Sequence, residues 1–407
     1  MKMPLEGCRV LDWTIWQQGP LASMMLGDLG AEVIKIEDRR TGDPIRGLMG
    51  SMGNIGGMKA MAQRNAYFEH CNRNKKSITL DLQKPKGKEI LYKLVEKSDV
   101  FIQNFRKGVA IRLGLDYKTL RQHNPKIIYA TASGWGPKGP DVDRPSFDFT
   151  GAARSGIMTI MGEPGQPPVH MQSAIADQIG GIMTASAVIT ALYMREKTGL
   201  GQEVESSMLG GMTYLLSMLV DYKLIVGVEQ VKWVRATAGN PLWNYYKCKD
   251  DKWITLGMLQ SPRYWPDFCR AVGIEHLEKD SRFADMNARG DNAAELISIL
   301  DSVFITKTRA EWQDILSKHG DLLNEPINTI TELIEDPQVK ANDYVVDFQH
   351  PSLGKISMVG FPMHFSNATT GVRLPAPEFG QHTEEVLQDI LGYTWDEITE
   401  LKTEEVI

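Results

Sequence analysis

The sequence predicts an α/β protein with a large Rossmann-like domain, built on a parallel sheet, and a smaller α+β domain. In the first third of the chain, short apolar runs alternate with helix-like segments over short connections, which is typical of a parallel sheet with helices on both faces. Near residue 225 the composition becomes mixed and tryptophan-bearing. We therefore expect a large domain split into 1–224 and 326–407, with the small domain at 225–325.

The first third contains the strand pattern that defines the sheet. Strands are predicted at 9–12, 31–37, 77–82, 100–105 and 127–132. Leu21, Met24, Met25 and Leu29 recur at helical spacing before Gly30, and further helices are predicted at 85–97 and around 117–123. Residues 48–63 are rich in Gly and Met without a period, so they predict a long mobile loop with a function.

The rest of the chain is predicted to be mostly helical, with two pairs of strands. A long apolar helix at 174–194 ends before Gly199, and Thr308 with Glu311 forms a capping-box pattern at the start of a helix. The further helices are predicted at 205–220, 261–272, 291–304 and 308–318, the strands at 243–248 and 253–258, and two more strands and an amphipathic helix near the C-terminus.

Composition excludes several classes of protein. The chain has 407 residues and a net charge of −6, which does not mark a nucleic-acid binder. Its four cysteines form no CxxC pair and its eight histidines no ligand pattern, so neither a disulfide framework nor a metal site is expected. There is no signal-peptide pattern and no long uninterrupted apolar run, and a cytoplasmic protein without membrane partners is expected.

Asp177 is the first candidate for chemistry. It is the only acidic residue between Glu163 and Glu196, and it stands at the head of the apolar helix. An aspartate can attack an activated carbonyl and form a mixed anhydride. The alternative is that Asp177 caps the helix, and from spacing alone this structural role is the commoner one.

Gln17 and Gln18 lie where the first strand meets the first helix, the ligand edge of an open parallel sheet. Their side-chain amides could donate to a developing oxyanion. The alternative is a polar turn ahead of Pro20. Asp12, at the end of the first strand, is similarly ambiguous.

Basic and aromatic residues after the strands are candidates for binding a phosphorylated ligand. Arg39 and Arg40 follow the second strand, where they could hold a phosphorylated ribose or form a solvated loop. The other candidates are Asn104, Phe105, Arg106 and Arg112 after the fourth strand, which could instead cap the next helix, and Lys75 and Lys138, for which a surface role is the alternative.

Motifs along nearly the whole chain resemble those of the family III CoA-transferases. The strongest are VLDWTIWQQGPLASMMLGDLGAEVIKIE, NRNKKSITLDL, DVFIQNF, SGWGPKGP, RPSFD, ADQIGG, ALYMREKTGLGQEVESSML, EDPQVKANDYV and PAPEFGQHTEEVL. The group includes formyl-CoA, carnitine, bile-acid, aryl-lactate and benzylsuccinate enzymes. The fixed order of these motifs makes the resemblance highly specific.

The resemblance implies that Asp177 is the catalytic nucleophile, passing through aspartyl anhydrides and an aspartyl-CoA thioester. It implies coenzyme A as cosubstrate, with no permanently bound cofactor, and an acyl-CoA and a carboxylic acid as partners. Gln17 and Gln18 would line the thioester. The residues that the resemblance places near CoA are Trp16, Arg39 or Arg40, Lys75, Asn104, Phe105, Arg112 and Lys138.

Two departures from the formyl-CoA enzyme bear on the ligands. Asp38 stands where that enzyme has an arginine, which leaves open whether Arg39 or Arg40 replaces it. The segment 257–260 stands where it has a glycine-rich loop. This apolar version, together with Trp13, Trp16, Trp243 and the 48–63 loop, favours a medium-sized, partly apolar or aromatic acid, although the tryptophans could also be core residues.

The resemblance also implies an interlocked homodimer, and it leaves alternatives. One is an acyl-CoA racemase or isomerase of the same superfamily, for which His170 is the one candidate base before Asp177. Another is one subunit of a heteromeric CoA-transferase. A nicotinamide dehydrogenase is a weaker alternative, because the first turn lacks the GxGxxG pattern.

Overall fold

A computed structural model describes residues 2–47 and 65–407, so the loop predicted at 48–63 lies outside the described residues. The backbone packs into two compact units. One contains the chain up to residue 158, residues 170–229 and residues 341–407; the other contains 159–169 and 230–340. The domain boundaries at 225 and 325 stay predictions.

The first unit is built on a six-stranded parallel sheet with the order β3-β2-β1-β4-β5-β6. The strands are β1 (Arg9–Trp13), β2 (Glu32–Glu37), β3 (Lys75–Thr79), β4 (Val100–Gln103), β5 (Ile128–Ser133) and β6 (Gln202–Ser207). The order reverses between β1 and β4. A crevice forms at such a switch point, beyond the carboxyl ends of the strands. The predicted α/β class and parallel sheet are confirmed.

The helices follow in chain order. The first are α1 (Gln18–Asp28), α2 (Ala66–Asn72), α3 (Pro85–Glu96), α4 (Lys107–Leu113), α5 (Tyr117–His123), α6 (Asp148–Ser155), α7 (Ile157–Ile160), α8 (Ile175–Thr198), α9 (Met208–Leu215) and α10 (Ser217–Val226). The remainder are α11 (Ser261–Val272), α12 (Met286–Asp291), α13 (Ala293–Phe304), α14 (Arg309–Ser317), α15 (Ile330–Glu335), α16 (Pro337–Ala341), α17 (Thr383–Asp389) and α18 (Trp395–Thr403).

The second unit has an antiparallel sheet of its own, formed by β7 (Trp243–Lys247), β8 (Trp253–Gly257) and β9 (Asn324–Ile327). The capping box predicted at Thr308 and Glu311 is confirmed at the start of α14. In the first unit, β10 (Val345–His350) and β11 (Gly354–Val359) form an antiparallel hairpin in the C-terminal region for which two strands are predicted.

The helix predicted at 205–220 is wrong in its first part. Residues 202–207 instead form β6, which pairs in parallel with β5 from Ile128 opposite Gln202 to Ser133 opposite Ser207. The chain then turns into α9, whose first turn is capped by the Ser207 hydroxyl. The strand has one neighbour and only partial burial, so it lacks the apolar run that marks the central strands.

Both faces of the central strands are buried. Leu11, Ile34 and Phe101 belong to one apolar cluster, whereas the alternate positions Val10 and Val33 belong to another. Helix α8 is long and apolar enough to cross a membrane by length and composition alone, and it packs on α1 and β5 within the unit.

Four charged side chains are buried among β1, β2 and β3 and form the buried charge quartet. Asp12 pairs with Lys75 at 2.8 Å, and Lys35 pairs with Asp43 at 2.8 Å, all with fully buried side chains. Asp12 and Lys35 are register partners in adjacent strands. The Lys35 ammonium also donates to the carbonyl of Thr14, at the end of β1. The quartet therefore ties the sheet to the loop that follows β1.

We expect Asp43→Ala to lower the free energy of unfolding by about 3–5 kcal/mol, because it leaves the Lys35 ammonium buried without its partner. Glu89→Ala is the matched control: it removes an exposed pair with Lys93 on α3 and should cost below about 0.5 kcal/mol. Urea unfolding at pH 7 measures both. Equal losses in the two variants would contradict the role assigned to the quartet.

Candidate active site

A cavity of about 410 Å³ opens beyond the carboxyl ends of β1, β4 and β5. Its walls come from the turn after β1, the loop after β4, the end of β5, the segment 142–147 and the start of α8. This is the switch point of the sheet, where open α/β folds bind ligands. The cavity contains five of the predicted site residues: Trp16, Gln18, Asn104, Phe105 and Asp177.

Asp177 is the third residue of α8, and its side chain lines the cavity while the residue is 8% exposed. Within residues 2–47 and 65–407, no donor forms a hydrogen bond with its carboxylate. Burial, reinforced by the nearby negative charge of Asp148, raises the pKa of Asp177 to about 7. The cavity thus contains a carboxylate whose negative charge is poorly stabilised and whose basicity is therefore raised.

The cap of α8 comes from another helix. The N-cap residue is Ala174, in a left-handed conformation and without a side-chain cap. Asp148, at the start of α6, accepts hydrogen bonds at Oδ1 from the backbone N–H groups of Ala176 at 2.7 Å and Asp177 at 3.3 Å. The alternative role of Asp177 as the N-cap is therefore wrong.

The two glutamines have different partners. Gln18 lines the cavity and donates through Nε2 to the carbonyl of Ser133 at 3.1 Å. It packs so tightly on α8 that a Cβ at Gly180 would lie 2.6 Å from Nε2. Gln17 is buried, and its Oε1 accepts a 2.6 Å hydrogen bond from the hydroxyl of Tyr67. Gln17 is not among the residues described as lining the cavity.

Trp16 has a strained backbone with φ 64°, a conformation that is a genuine outlier for a bulky residue. The backbone N–H of Trp16 donates a 3.1 Å hydrogen bond to Oδ1 of Asp43, so the buried charge quartet helps to hold this conformation. The indole meets the ring of Phe147 edge-on, with 5.5 Å between ring centroids. Both rings line the cavity and give it an aromatic wall.

Asn104 and Phe105 are held firmly at the end of β4. Asn104 accepts from the N–H of Ile15 and donates to its carbonyl, and so joins the loops after β4 and β1. Phe105 stacks on Trp13 with centroids 4.2 Å apart. These contacts place the two residues at the cavity and fix the crevice between the neighbouring strands.

Three basic residues line the cavity. The sequence interpretation named Arg106 as a phosphate-binding candidate, but it missed Lys107 and Arg144. Arg106 and Lys107 directly follow Asn104 and Phe105, and Arg144 opens the RPSFD motif, so the signal was present in motifs already singled out. Asp148 closes the same motif and was also missed. Its role depends on a contact with α8, which sequence spacing does not reveal.

The other predicted residues lie away from this cavity. Arg39 binds the carbonyl of Ile407, and Arg40 is exposed beside Asp38. Lys75 belongs to the buried charge quartet, so a contact with CoA would require its pair with Asp12 to open. Arg112, on α4, and Lys138 are exposed.

Residues 5–383 match the family model described as CoA-transferase family III. The chain belongs to this family. It is similar to the (R)-2-hydroxy-4-methylpentanoate CoA-transferase of Clostridioides difficile, with 32% identity over 100% of both chains. It is also similar to the cinnamoyl-CoA:phenyllactate CoA-transferase of Clostridium sporogenes, with 32% identity over 99% of this chain and 97% of that one.

Similarity extends to a human relative and to solved structures. The succinyl-CoA:glutarate CoA-transferase of Homo sapiens is 32% identical over 99% of this chain and 90% of that one. A CAIB/BAIF family protein from Brucella suis superposes with a TM-score of 0.84 at 29% identity, covering 96% of this chain and 100% of that one. The protein is thus an enzyme of the CoA-transferase type, with CoA thioesters as cosubstrates, and the dehydrogenase alternative is wrong.

The raised pKa of Asp177 predicts a pH-dependent effect of Asp177→Asn. The pKa of Asp177 is about 7 in the folded state, against an ordinary value of 3.8 for an aspartate carboxyl. Between these values the folded state therefore retains a proton that the unfolded state has lost, and wild-type stability falls as pH rises through this window. Asparagine has no ionisable carboxyl group, so Asp177→Asn does not lose stability in this way. We expect the variant to be more stable than wild type by about 2–4 kcal/mol at pH 8, with most of the gain absent at pH 4.

Urea unfolding of both proteins at pH 4, 6 and 8 measures this difference. Asp143→Asn, at an exposed position, is the control and should differ from wild type by a nearly constant amount. A gain from Asp177→Asn that does not change with pH would contradict the raised pKa.

Proposed function

We propose that this family III enzyme exchanges CoA between an acyl-CoA and a free carboxylic acid, with Asp177 as the nucleophile. The observation that carries the proposal is the Asp177 carboxylate, which opens into the switch-point cavity without a donor bonded to it in the described part of the chain. A carboxylate in such surroundings is more basic than in water, and a more basic oxygen is a better nucleophile toward a thioester carbonyl.

The proposed reaction has two symmetrical halves. A carboxylate oxygen of Asp177 attacks the donor carbonyl, the C–S bond breaks, and CoA leaves as a thiolate, so that Asp177 and the donor acyl group form a mixed anhydride. The thiolate attacks Cγ of Asp177 and releases the donor acid, which leaves an aspartyl-CoA thioester. The acceptor carboxylate attacks Cγ, and the released thiolate then attacks the acceptor carbonyl. Product acyl-CoA leaves, Asp177 regains its carboxylate, and no net proton is consumed.

The oxyanions that form in these steps require hydrogen-bond donors near Asp177, and the turn after β1 provides two side-chain amides. Gln18 lines the cavity, and Gln17 lies next to it in the turn after β1. Neutral amides are suited to this task because they donate hydrogen bonds without pairing permanently with the Asp177 carboxylate. We propose both glutamines as oxyanion donors, with Gln18 the one that lines the described cavity.

The basic rim of the cavity supports binding of the CoA phosphates. Arg106, Lys107 and Arg144 bring three positive charges to the wall that also carries Asn104 and Phe105. Charge-assisted hydrogen bonds from such groups are the usual way in which proteins hold phosphates. CoA contacts at Arg39, Arg40, Lys75, Arg112 and Lys138 stay predictions.

The aromatic wall supports a medium-sized, partly apolar or aromatic acid as substrate. Trp16 and Phe147 meet edge-on beside the nucleophile, and Met208, Val109 and Val142 extend the apolar lining. A wall of this kind gains free energy by covering apolar acyl surface. Relatives named for a methyl-branched hydroxy acid and for phenyllactate are in keeping with this choice.

The racemase alternative requires a base that moves an α-proton. No histidine stands among the described residues that line the cavity. Instead, Nε2 of His170 lies 3.5 Å from Oδ2 of Asp148, and the imidazole ring packs edge-on against Phe149. This arrangement favours transfer over racemisation, because a proton-moving base must reach the substrate's α-carbon.

We further propose a cytoplasmic homodimer, interlocked as in the family, with a heteromer as the alternative. Helix α10 exposes Met218 (75%), Leu224 (75%) and Ile225 (81%) and has no buried residue. Large apolar side chains that are exposed together on one helix usually mark an interface with another chain. Native mass spectrometry of the protein expressed alone distinguishes the two assemblies.

The nucleophile is tested by trapping. We expect wild type, incubated with an acyl-CoA and hydroxylamine, to form a hydroxamate at Asp177, because hydroxylamine intercepts both the anhydride and the aspartyl-CoA thioester. Peptide mass spectrometry detects the adduct. Asp177→Ala should bind CoA but lose adduct formation, with turnover reduced by about 10³-fold or more.

Asp396→Ala, at an exposed position near the C-terminus, serves as the control and should retain adduct and turnover. A screen of branched, aromatic and small polar acids as acceptors tests the substrate class in the same assay. Full CoA exchange by Asp177→Ala would refute the proposed mechanism, and α-deuterium wash-in without a second acid would support the racemase alternative instead.

A further inference from the structure

We propose that Asp148 is a positioning residue for CoA transfer, holding Asp177 in place through backbone hydrogen bonds while repelling its side-chain charge. The proposal rests on the proposed function, in which Asp177 is the nucleophile. Asp148 stands at the start of α6, directly after the cavity residue Phe147, and its carboxylate is bound to the first turn of α8. It therefore contacts the nucleophile's own backbone from a different helix.

The first contribution of Asp148 is geometric. The first turn of a helix has backbone N–H groups without helical partners, and a side chain in that turn tends to accept from them. Ala174, the N-cap residue of α8, has no side-chain oxygen to offer. Asp148 Oδ1 accepts from Ala176 and Asp177 in its place. Because these amides are already satisfied, the Asp177 carboxylate is free to turn toward the cavity.

The second contribution is electrostatic. The bonds from one Asp148 oxygen to the backbone of Asp177 bring two carboxylates close together in a partly buried site. The negative charge of Asp148 disfavours the ionised form of Asp177, and this effect adds to the burial of Asp177. Asp148 thus provides a hydrogen-bond acceptor and a repelling charge with the same carboxylate.

Other groups face Asp177 or Asp148 and set the background for this effect. From α2, Tyr67 and Cys71 lie within electrostatic range of Asp177. His70 contacts the neighbouring Gln178, and His170 faces Asp148 Oδ2 at 3.5 Å. The charged residues that line the same cavity are Arg106, Lys107, Arg144 and Glu205. Across the described residues, Asp148 is the negative group that is bonded to the backbone of the nucleophile.

Asp148→Asn separates the two contributions. Asparagine keeps an oxygen that can accept from Ala176 and Asp177, but it carries no charge. We expect the acidic limb of kcat/KM, which reports ionisation of Asp177 in the free enzyme, to move to lower pH by about one unit. The rate above pH 8 should stay within about three-fold of wild type.

Asp148→Ala removes both contributions. We expect its kcat to fall by about ten-fold or more at every pH, because the unsatisfied amides of α8 then compete for the Asp177 carboxylate. The matched control is Asp116→Asn, which changes another carboxylate that caps a helix, at the start of α5. Its pH profile and rate should match those of wild type.

The outcomes are separable. A pH profile of Asp148→Asn that coincides with wild type, or equal losses in Asp148→Asn and Asp148→Ala at all pH values, would overturn the role of the charge. If Asp148→Ala does not fold, as judged by circular dichroism, the profile of Asp148→Asn decides alone. Retained exchange in Asp177→Ala would instead reject the nucleophile itself, whatever the Asp148 variants do.

Discussion

The buried charge quartet is the constraint on which the active-site edge of the sheet depends. Asp12, Lys35 and Lys75 lie on three adjacent strands, and Asp43 joins them from the loop after β2. Buried ions of this kind are tolerated only when each charge has a partner in good geometry. The quartet therefore specifies one arrangement of β1, β2 and β3 and of the loops that leave them.

The loop after β1 carries this constraint into the cavity. Lys35 holds the carbonyl of Thr14, and Asp43 holds the N–H of Trp16 in a left-handed conformation. Strained backbone persists only where the surroundings over-determine it. As a result, Trp16 and Gln18 project into the crevice between β1 and β4, opposite Asn104 and Phe105.

The proposed nucleophile, Asp177, depends on a similar division of roles between elements. The carboxylate proposed as the nucleophile and the carboxylate that caps α8 belong to different residues, because Asp148 satisfies the backbone and leaves the Asp177 side chain unbonded within the described chain. Burial that would destabilise the folded protein at neutral pH also keeps this carboxylate basic. The site thus exchanges some stability for reactivity, as functional sites often do.

Ordered motifs and strand–helix alternation are local properties, so the family, the parallel α/β class and the candidate nucleophile Asp177 could all be predicted from the residues alone. The sequence also placed Gln18, Asn104 and Phe105, since residues at the carboxyl ends of parallel strands meet at one edge. Three features became evident from the tertiary structure: residues 202–207 form the edge strand, Lys75 forms a buried ion pair with Asp12, and Asp148 caps α8. Each of these depends on contacts between segments far apart in the chain, and no local pattern of residues encodes such contacts.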